Sequence, residues 1–354
     1  MNILIVPDSF KGSLGAPEVC ACIRLGIESI SSDHKITTLP FADGGEGFAD
    51  CMANICNGEI LYTQCQDIYG QRIRGSIVAI GDTAVIECAT ASGLQVRKNV
   101  MNASSYGTGE LIKFAVLRGF HKIILGLGGS GCCDGGAGAL TALGAAFYDI
   151  NYQKIARPTG GDLEEIYGAG FRNLVKDINF TFACDVENTL FGQNGAAYVF
   201  APQKGANKTQ VEQLDNGLKR LNAFLPRDVS TVKGGGAAGG ICAGLYSLYG
   251  GEIISGFEVL SRYSRLEEKI ENCDMVITGE GKTDAQTLMG KLPFRVAALA
   301  KQYGKPCVII SGTVEEGICL GDRQISLTDE NITAEEAIRN AAQILIEKSK
   351  FILQ

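Results

Sequence analysis

Five times in this chain a short β-branched run ends in an acidic turn, and four of these turns also carry glycine. Residues 3–6 run into Pro7-Asp-Ser-Phe-Lys-Gly-Ser13, and residues 36–39 into Ala42-Asp-Gly-Gly-Glu-Gly47. Residues 122–127 enter a glycine turn that carries Asp134, 180–184 enter Cys184-Asp-Val-Glu-Asn188, and 275–278 enter Thr278-Gly-Glu-Gly-Lys-Thr-Asp284. A further run, 307–310, completes the series. Helical periodicity fills the gaps between the runs, and that alternation predicts a mainly parallel sheet with crossover helices. Such a sheet puts the carboxyl ends of its strands on one edge, where ligands of open α/β folds bind. The acidic turns therefore share an edge.

Any one Asp-Gly turn needs no function, because the dipeptide is common in turns. Several carboxylates on one edge are different, since like charges that close require a cation between them. The chain has only two His, His34 and His121, and no CxxC pair, which excludes a zinc site of the usual spacing. Oxygen donors alone point to Mg²⁺, and Mg²⁺ commonly accompanies phosphate. Lys11, Lys204, Lys282 and Lys291 supply positive charge within the same motifs.

The helices are legible from their faces and caps. Pro17 opens one with Val19, Cys22, Ile23, Ile27 and Ile30 on its apolar side. Thr209 with Glu212, and Thr333 with Glu336, read as capping boxes ahead of apolar faces formed by Val211, Leu214, Leu218 and Leu221, and by Ala337, Ile338, Ala341 and Leu345. Gly304 and Pro306 stop a helix over 293–303. Residues 60–66, 72–79 and 84–88 instead read as strands joined by tight turns, an antiparallel patch with no room for helices. In a chain of 354 residues this predicts a second, inserted domain. The expected division is 1–58 plus 255–354 against 59–254, with edges good to about twenty residues.

The turn "GLGGSGCCDGG" at 126–136 fits two phosphate-binding patterns in part. Gly126, Gly128 and Gly131 make GxGxxG, which with Asp149 suggests an NAD-dependent oxidoreductase as a rival reading. That fingerprint normally follows the first strand of its unit, and it would leave the other acidic turns without a task. Read as GxxxxG, the turn has Cys132 and Cys133 where a P-loop needs Lys and Ser or Thr. Backbone N–H groups can bind phosphate without that Lys.

The formal net charge of −7 gives no overall field that attracts nucleic acid or anionic lipid, so a small-molecule partner is expected. The longest uncharged stretch, 234–251, contains eight Gly in 18 residues and is too poor in apolar surface for a membrane span. The run ending at Pro7 is too short for a secretory signal, and a cytoplasmic protein is expected. The thirteen Cys then serve as small buried apolar residues.

Taken in order, "PDSFKGS" (7–13), "ADGGEG" (42–47), "YGTGEL" (106–111), the turn at 126–138, "CDVEN.L" (184–190), "PQKGA" (202–206), "GAAGG" (236–240) and "DMVITGEGKTDAQTLMGK.P" (274–293) resemble the bacterial glycerate kinases, the type that includes enzymes of glycolate and glucarate catabolism. The resemblance spans essentially the whole chain. It implies ATP-dependent phosphorylation of D-glycerate with Mg²⁺, favouring 2-phosphoglycerate over 3-phosphoglycerate. It also implies two α/β domains, one flavodoxin-like or Rossmann-like with a mainly parallel sheet and one with a mixed sheet, and an active site in the cleft between them.

On this reading Asp185 and Glu280 hold Mg²⁺ with Asp284 in support, and the turn over 128–136 cradles phosphates. Lys11 meets the glycerate carboxylate or the transferring phosphoryl group, and either Asp43 or Asp8 accepts the substrate proton. Ser9, Gly44, Gly45, Gly128, Gly129, Ser130, Asp134, Gly135, Lys204 and Lys291 complete the expected substrate and nucleotide contacts. The chain departs from the family pattern at Gly131, Cys132 and Cys133, where a small residue, Thr and Asn are usual. The departure either removes two hydrogen-bonding groups from the site, as in a sensor without turnover, or places two thiols in the core.

Overall fold

The structure is a computed structural model and describes residues 1–353 other than Asp43, Glu46 and Glu330. Among the described residues the strands are β1 (Asn2–Pro7), β2 (Lys35–Thr38), β3 (Glu59–Gln66), β4 (Arg72–Ile80), β5 (Thr83–Glu87), β6 (Lys122–Gly126), β7 (Ala146–Tyr148), β8 (Lys154–Ile155), β9 (Gly168–Gly170), β10 (Asn179–Ala183), β11 (Glu252–Ile254), β12 (Met275–Thr283), β13 (Cys307–Val314) and β14 (Arg323–Ser326). The chain divides into two compact units, residues 1–42, 50–57 and 257–354 in the first and 43–49 with 58–256 in the second. The expectation had kept 43–49 with the first. Gly44 and Phe48 pack on the second unit's sheet instead: the Gly128 N–H donates to Gly44 O at 3.0 Å, and a Cβ on Gly126 would stand 3.0 Å from the Phe48 ring.

The first unit is built on one five-stranded sheet in the order β14-β13-β12-β1-β2, every pair parallel. Counted along this unit alone the order is 2-1-3-4-5, the flavodoxin-like arrangement, whose switch point falls between β1 and β12. Ile3, Ile5, Ile277, Val308 and Ile310 bury the sheet against Val19, Ile23, Ile27 and Leu345. The helix Ala16–Glu28 has Pro at its start, where the missing N–H costs nothing. It lies directly on the helix Ala341–Ser349, because Gly26 offers no Cβ; one placed there would be 2.4 Å from Ile346 O.

The second unit has a mixed six-stranded sheet, β11-β10-β6-β5-β4-β3. β11, β10, β6 and β5 pair in parallel, while β4 runs antiparallel to both β5 and β3. The antiparallel patch is thus the outer half of a larger sheet. A separate three-stranded antiparallel sheet, β8-β7-β9, flanks it and has no counterpart in the sequence reading.

Some expected details differ. The helix Lys208–Phe224 starts before Thr209 and is capped by Asn207, whose Oδ1 accepts from the Gln210 N–H at 3.0 Å while Gln210 returns a bond to the Asn207 N–H. Thr333 does cap its helix, but that helix stops at Arg339 and a second one resumes at Ala341, which leaves Ile338 exposed. Ile30 lies beyond the end of its helix and is also exposed.

The helix Tyr106–Leu117 is unusual in carrying two glycines in its first turns, Gly107 and Gly109. A Cβ at Gly107 would sit 1.8 Å from Gln66 O, and one at Gly109 would sit 2.3 Å from Ala139 O. In an isolated helix Gly→Ala adds about 1 kcal/mol of stability. Here the helix backbone touches β3, so Gly107→Ala should instead destabilise by roughly 1–3 kcal/mol through overpacking. A thermal unfolding midpoint that rises in this variant would contradict the contact.

Candidate active site

In the first unit, the register Val6 with Thr278 and Pro7 with Gly279 brings the exits of β1 and β12 side by side at the switch point. The Asp8 N–H continues the ladder by donating to Gly279 O at 2.8 Å. The loop then folds back tightly: the Phe10 N–H donates to Leu14 O and the Leu14 N–H to Phe10 O, with Gly12 in the left-handed region at φ 84°. Buried Phe10 anchors this turn in the core and leaves Lys11 exposed at its tip. The turn lies on β12 itself, since a Cβ at Gly281 would be 3.2 Å from Lys11 N and 3.3 Å from Phe10 Cα. The Lys11 loop thus lies against the β12 backbone one residue after Glu280, on the face opposite the Glu280 side chain. Asp8 is partly exposed, its Oδ1 accepting from the Ser9 N–H and the Ser9 hydroxyl.

Glu280 is 6% exposed. Its Oε1 accepts from the Thr287 hydroxyl at 2.5 Å and from the Thr283 hydroxyl at 3.3 Å. Burial pushes its carboxyl above the usual range, opposed by the Thr287 hydroxyl and the Lys291 ammonium. Asp284 is balanced the other way. Desolvation acts to raise it, but the Gln286 N–H, Lys291 and Lys282 together hold its carboxyl below the ordinary value. Lys282 Nζ is 3.4 Å from Asp284 Oδ2, and Lys291 Nζ is 3.7 Å from Oδ1. The first unit thus gathers Asp8, Ser9, Lys11, Glu280, Asp284 and Lys291 at the ends of adjacent strands.

The second unit makes its own cluster at the ends of β6 and β10. Gly128 and Gly45 touch, as a Cβ at Gly128 would be 2.2 Å from Gly45 Cα. Gly44 stands against the end of β10: a Cβ there would meet Ala183 O at 3.0 Å and Asp185 Oδ2 at 3.3 Å. Asp185 is exposed, and its Oδ2 accepts from the Gly256 N–H at 3.2 Å. Asp43 lies outside the described residues. Glu87, buried at the end of β5 with Oε2 accepting from the Ala49 N–H at 3.3 Å, belongs to the same edge. The sequence reading passed over it as part of the antiparallel patch. The parallel pairing of Glu87 with Gly126 is what places it there.

The glycine turn is held from within. Asp134 is fully buried, and its carboxylate accepts from the Ser105 N–H and hydroxyl, both at 2.7 Å, and from the N–H groups of Gly138 and Gly136 at 3.1 and 3.2 Å. Burial raises its carboxyl above the usual range against those bonds. These contacts make Asp134 an internal tie rather than the ligand contact expected of it. Gly135 is likewise packed, its Cβ position 2.4 Å from Leu221. Lys204 is 3% exposed and donates to the Ser130 hydroxyl at 2.9 Å and to Cys132 O at 2.8 Å, so it too braces the turn. The N–H groups of Gly128, Gly131, Gly135 and Gly136 all bond within the protein. Gly129, at the tip of the turn, is exposed and in the left-handed region at φ 69°.

Asp149 accepts from the N–H groups of Asn151 and Gln153 in the turn between β7 and β8, the role of a turn residue rather than a ribose ligand. Among the described residues no three His, Cys, Asp or Glu groups converge as a ready-made metal cluster, and no helix is long and apolar enough to cross a membrane.

Comparison with known proteins identifies the family. The glycerate kinase family model matches residues 3–354. The chain belongs to this family. It is 38% identical to the glycerate 2-kinase of Escherichia coli K12 over 99% of this chain and 97% of that one. It is also 38% identical to the glycerate kinase of Bacillus cereus, over 97% and 94% of the two chains. A crystal structure from Salmonella typhimurium LT2, described as a glycerate kinase 2, superposes with a TM-score of 0.87 at 38% identity, covering 99% of this chain and 96% of that one. The mixed α/β fold with one parallel and one mixed sheet is therefore the family's.

Where this chain departs from the family pattern, Cys132 and Cys133 are fully buried in the second unit's core. Burial pushes the Cys133 thiol up to about 12 and the Cys132 thiol well above its ordinary value, so both stay protonated at neutral pH. All thirteen thiols are free, eleven of them buried, with Cys56 half-buried and Cys319 exposed. Iodoacetamide at pH 8 should label Cys319 first and leave Cys132 and Cys133 unlabelled until denaturant is added. Peptide mapping that finds label on either in the native protein would show the turn to be open.

Proposed function

We propose that this member of the glycerate kinase family transfers the γ-phosphoryl group of ATP to the 2-hydroxyl of D-glycerate, with Mg²⁺, in the cytoplasm. The observation that supports this reading is the switch-point geometry: the loop that exposes Lys11 lies against β12 at Gly281, next to buried Glu280 in the strand, so both strand exits carry charged groups at one sheet edge. A relative named for the 2-position supports the choice of hydroxyl. Thirteen free thiols suit a reducing compartment.

Phosphoryl transfer requires positioning and charge neutralisation more than covalent chemistry. Lys11 neutralises the glycerate carboxylate or the phosphoryl group in flight, reaching it on a flexible stem. Asp8 orients the attacking hydroxyl and takes its proton; Asp43 is the alternative on the same grounds of sequence. Gly129 at the tip of its turn offers backbone N–H to phosphate, while Asp134 and Lys204 keep that tip in place. Lys291, with Lys282, balances Asp284 and adds positive charge near the transferring group.

The donors fit Mg²⁺ in kind, being carboxylate oxygens only. Glu280 is the proposed ligand at the edge of the first unit's sheet; Asp185, exposed at the end of β10, is the candidate that the sequence offers in the second. Asp284, already paired with Lys282 and Lys291, acts in support. When bound, Mg²⁺ supplies charge neutralisation on the nucleotide phosphates.

The purified protein incubated with ATP, Mg²⁺ and D-glycerate should give ADP and a phosphomonoester whose ³¹P–¹H coupling places the phosphate on the 2-carbon. A coupled assay without ADP release would remove the kinase reading. A 3-phosphate signal would correct only the position.

A further inference from the structure

Three hydroxyls that the sequence does not single out, those of Thr283, Thr287 and Ser311, are fully buried around Glu280. Their hydrogens can be ordered from their partners. The Asp284 N–H donates to Thr287 Oγ1 at 3.1 Å, so the Thr287 hydrogen is left for Glu280 Oε1, 2.5 Å away. Thr283 spends its one hydrogen on the same Oε1 at 3.3 Å, so in the 2.7 Å contact between Thr283 and Ser311 it is Ser311 that donates. Ser311 stands directly opposite Glu280 in the β12–β13 register, which fixes the end of this chain to the sheet. Both terminal donors therefore reach one oxygen, and among the described residues none donates to Oε2.

The Glu280 side chain is 6% exposed, yet Oε2 is not one of the described buried atoms that lack a partner, so this oxygen reaches the surface, within the field of the Lys291 ammonium, where a ligand can meet it. We propose that Thr287, with the Ser311–Thr283 relay, is a positioning device. It fixes the Glu280 carboxylate through Oε1 and presents Oε2 to the bound cation. This rests on the reading of Glu280 as a Mg²⁺ ligand. Threonine suits the task at both positions, because its β-branch restricts the hydroxyl to few rotamers. Partners of this kind orient ligating carboxylates, and their loss commonly costs ten- to a hundredfold in metal affinity or activity.

The test measures the Mg²⁺ half-saturation of binding, by calorimetric titration of the protein with Mg²⁺ in the presence of ADP, together with kcat and the KM for D-glycerate, in Thr287→Val, Thr287→Ser and Glu280→Gln. Thr287→Val keeps the shape and removes the donor. It should raise the Mg²⁺ half-saturation or lower kcat by on the order of tenfold to a hundredfold, with the KM for D-glycerate changed less than about twofold. Thr287→Ser, which restores the donor, should recover most of the loss. If Thr287→Val does not fold, Thr283→Val and Thr283→Ser carry the same expectation. Unchanged Mg²⁺ dependence and kcat in the valine variants, with Glu280→Gln impaired, would overturn the positioning role and leave the Glu280 reading intact. An unimpaired Glu280→Gln would overturn both.

Discussion

The parallel pairing of β1 with β12, in the register that sets Pro7 opposite Gly279, is the constraint on which the proposed chemistry depends. Strands far apart in the chain become neighbours at the centre of the first unit's sheet, and the two loops that leave them must share the space beyond its edge. One loop turns back on buried Phe10 and carries Lys11 outward. The other continues as strand through Glu280 to Thr283, longer than its apolar core requires. Gly281 lets the two backbones touch. A Cβ there would press on the Lys11 loop, 3.2 Å from Lys11 N.

The second unit uses the same device for a different purpose. Its turn at 126–136 is not an open phosphate cradle along its whole length but a packed junction. Gly128 meets Gly45, Gly240 meets Gly135, and Gly239 comes against Cys132 O, each at a separation that a Cβ would forbid. Lys204 and Asp134 add the polar ties, one bonding the turn's oxygens and the other the N–H groups of neighbouring helix starts. A fully buried ammonium with two neutral acceptors and a fully buried carboxylate with four donors cost much to leave unsatisfied. The turn is therefore held from within, with Gly129 exposed at its tip. The many glycines of this sequence are in large part spent on backbone contact.

Much of this was legible in the sequence, for identifiable reasons. The β-branched runs marked the central strands of both sheets because buried parallel strands need continuous apolar side chains. The acidic ends of β1, β10 and β12 were visible because a turn exposes its polarity. The glycine-rich helix at Tyr106–Leu117 was not seen as a helix, since Gly107 and Gly109 count against helix formation and their reason lies in β3 and Ala139, distant in sequence. Asp134 and Lys204 looked like ligand contacts because charge in a glycine turn suggests solvent. Only burial reveals them as internal ties. Thr283, Thr287 and Ser311 carried no signal, because a hydroxyl gains meaning from the group it faces.

A double-mutant cycle on Lys11 and Glu280 tests the account most directly, with Lys11→Met, Glu280→Gln and the combined variant compared by kcat/KM. If the two strand ends form one site around the transferring phosphoryl group, the losses will not add. The coupling should be about tenfold or more, roughly 1.4 kcal/mol. Losses that sum to within about 0.5 kcal/mol in variants that keep the fold would mean that the two residues act independently, and would contradict a shared site at the switch point.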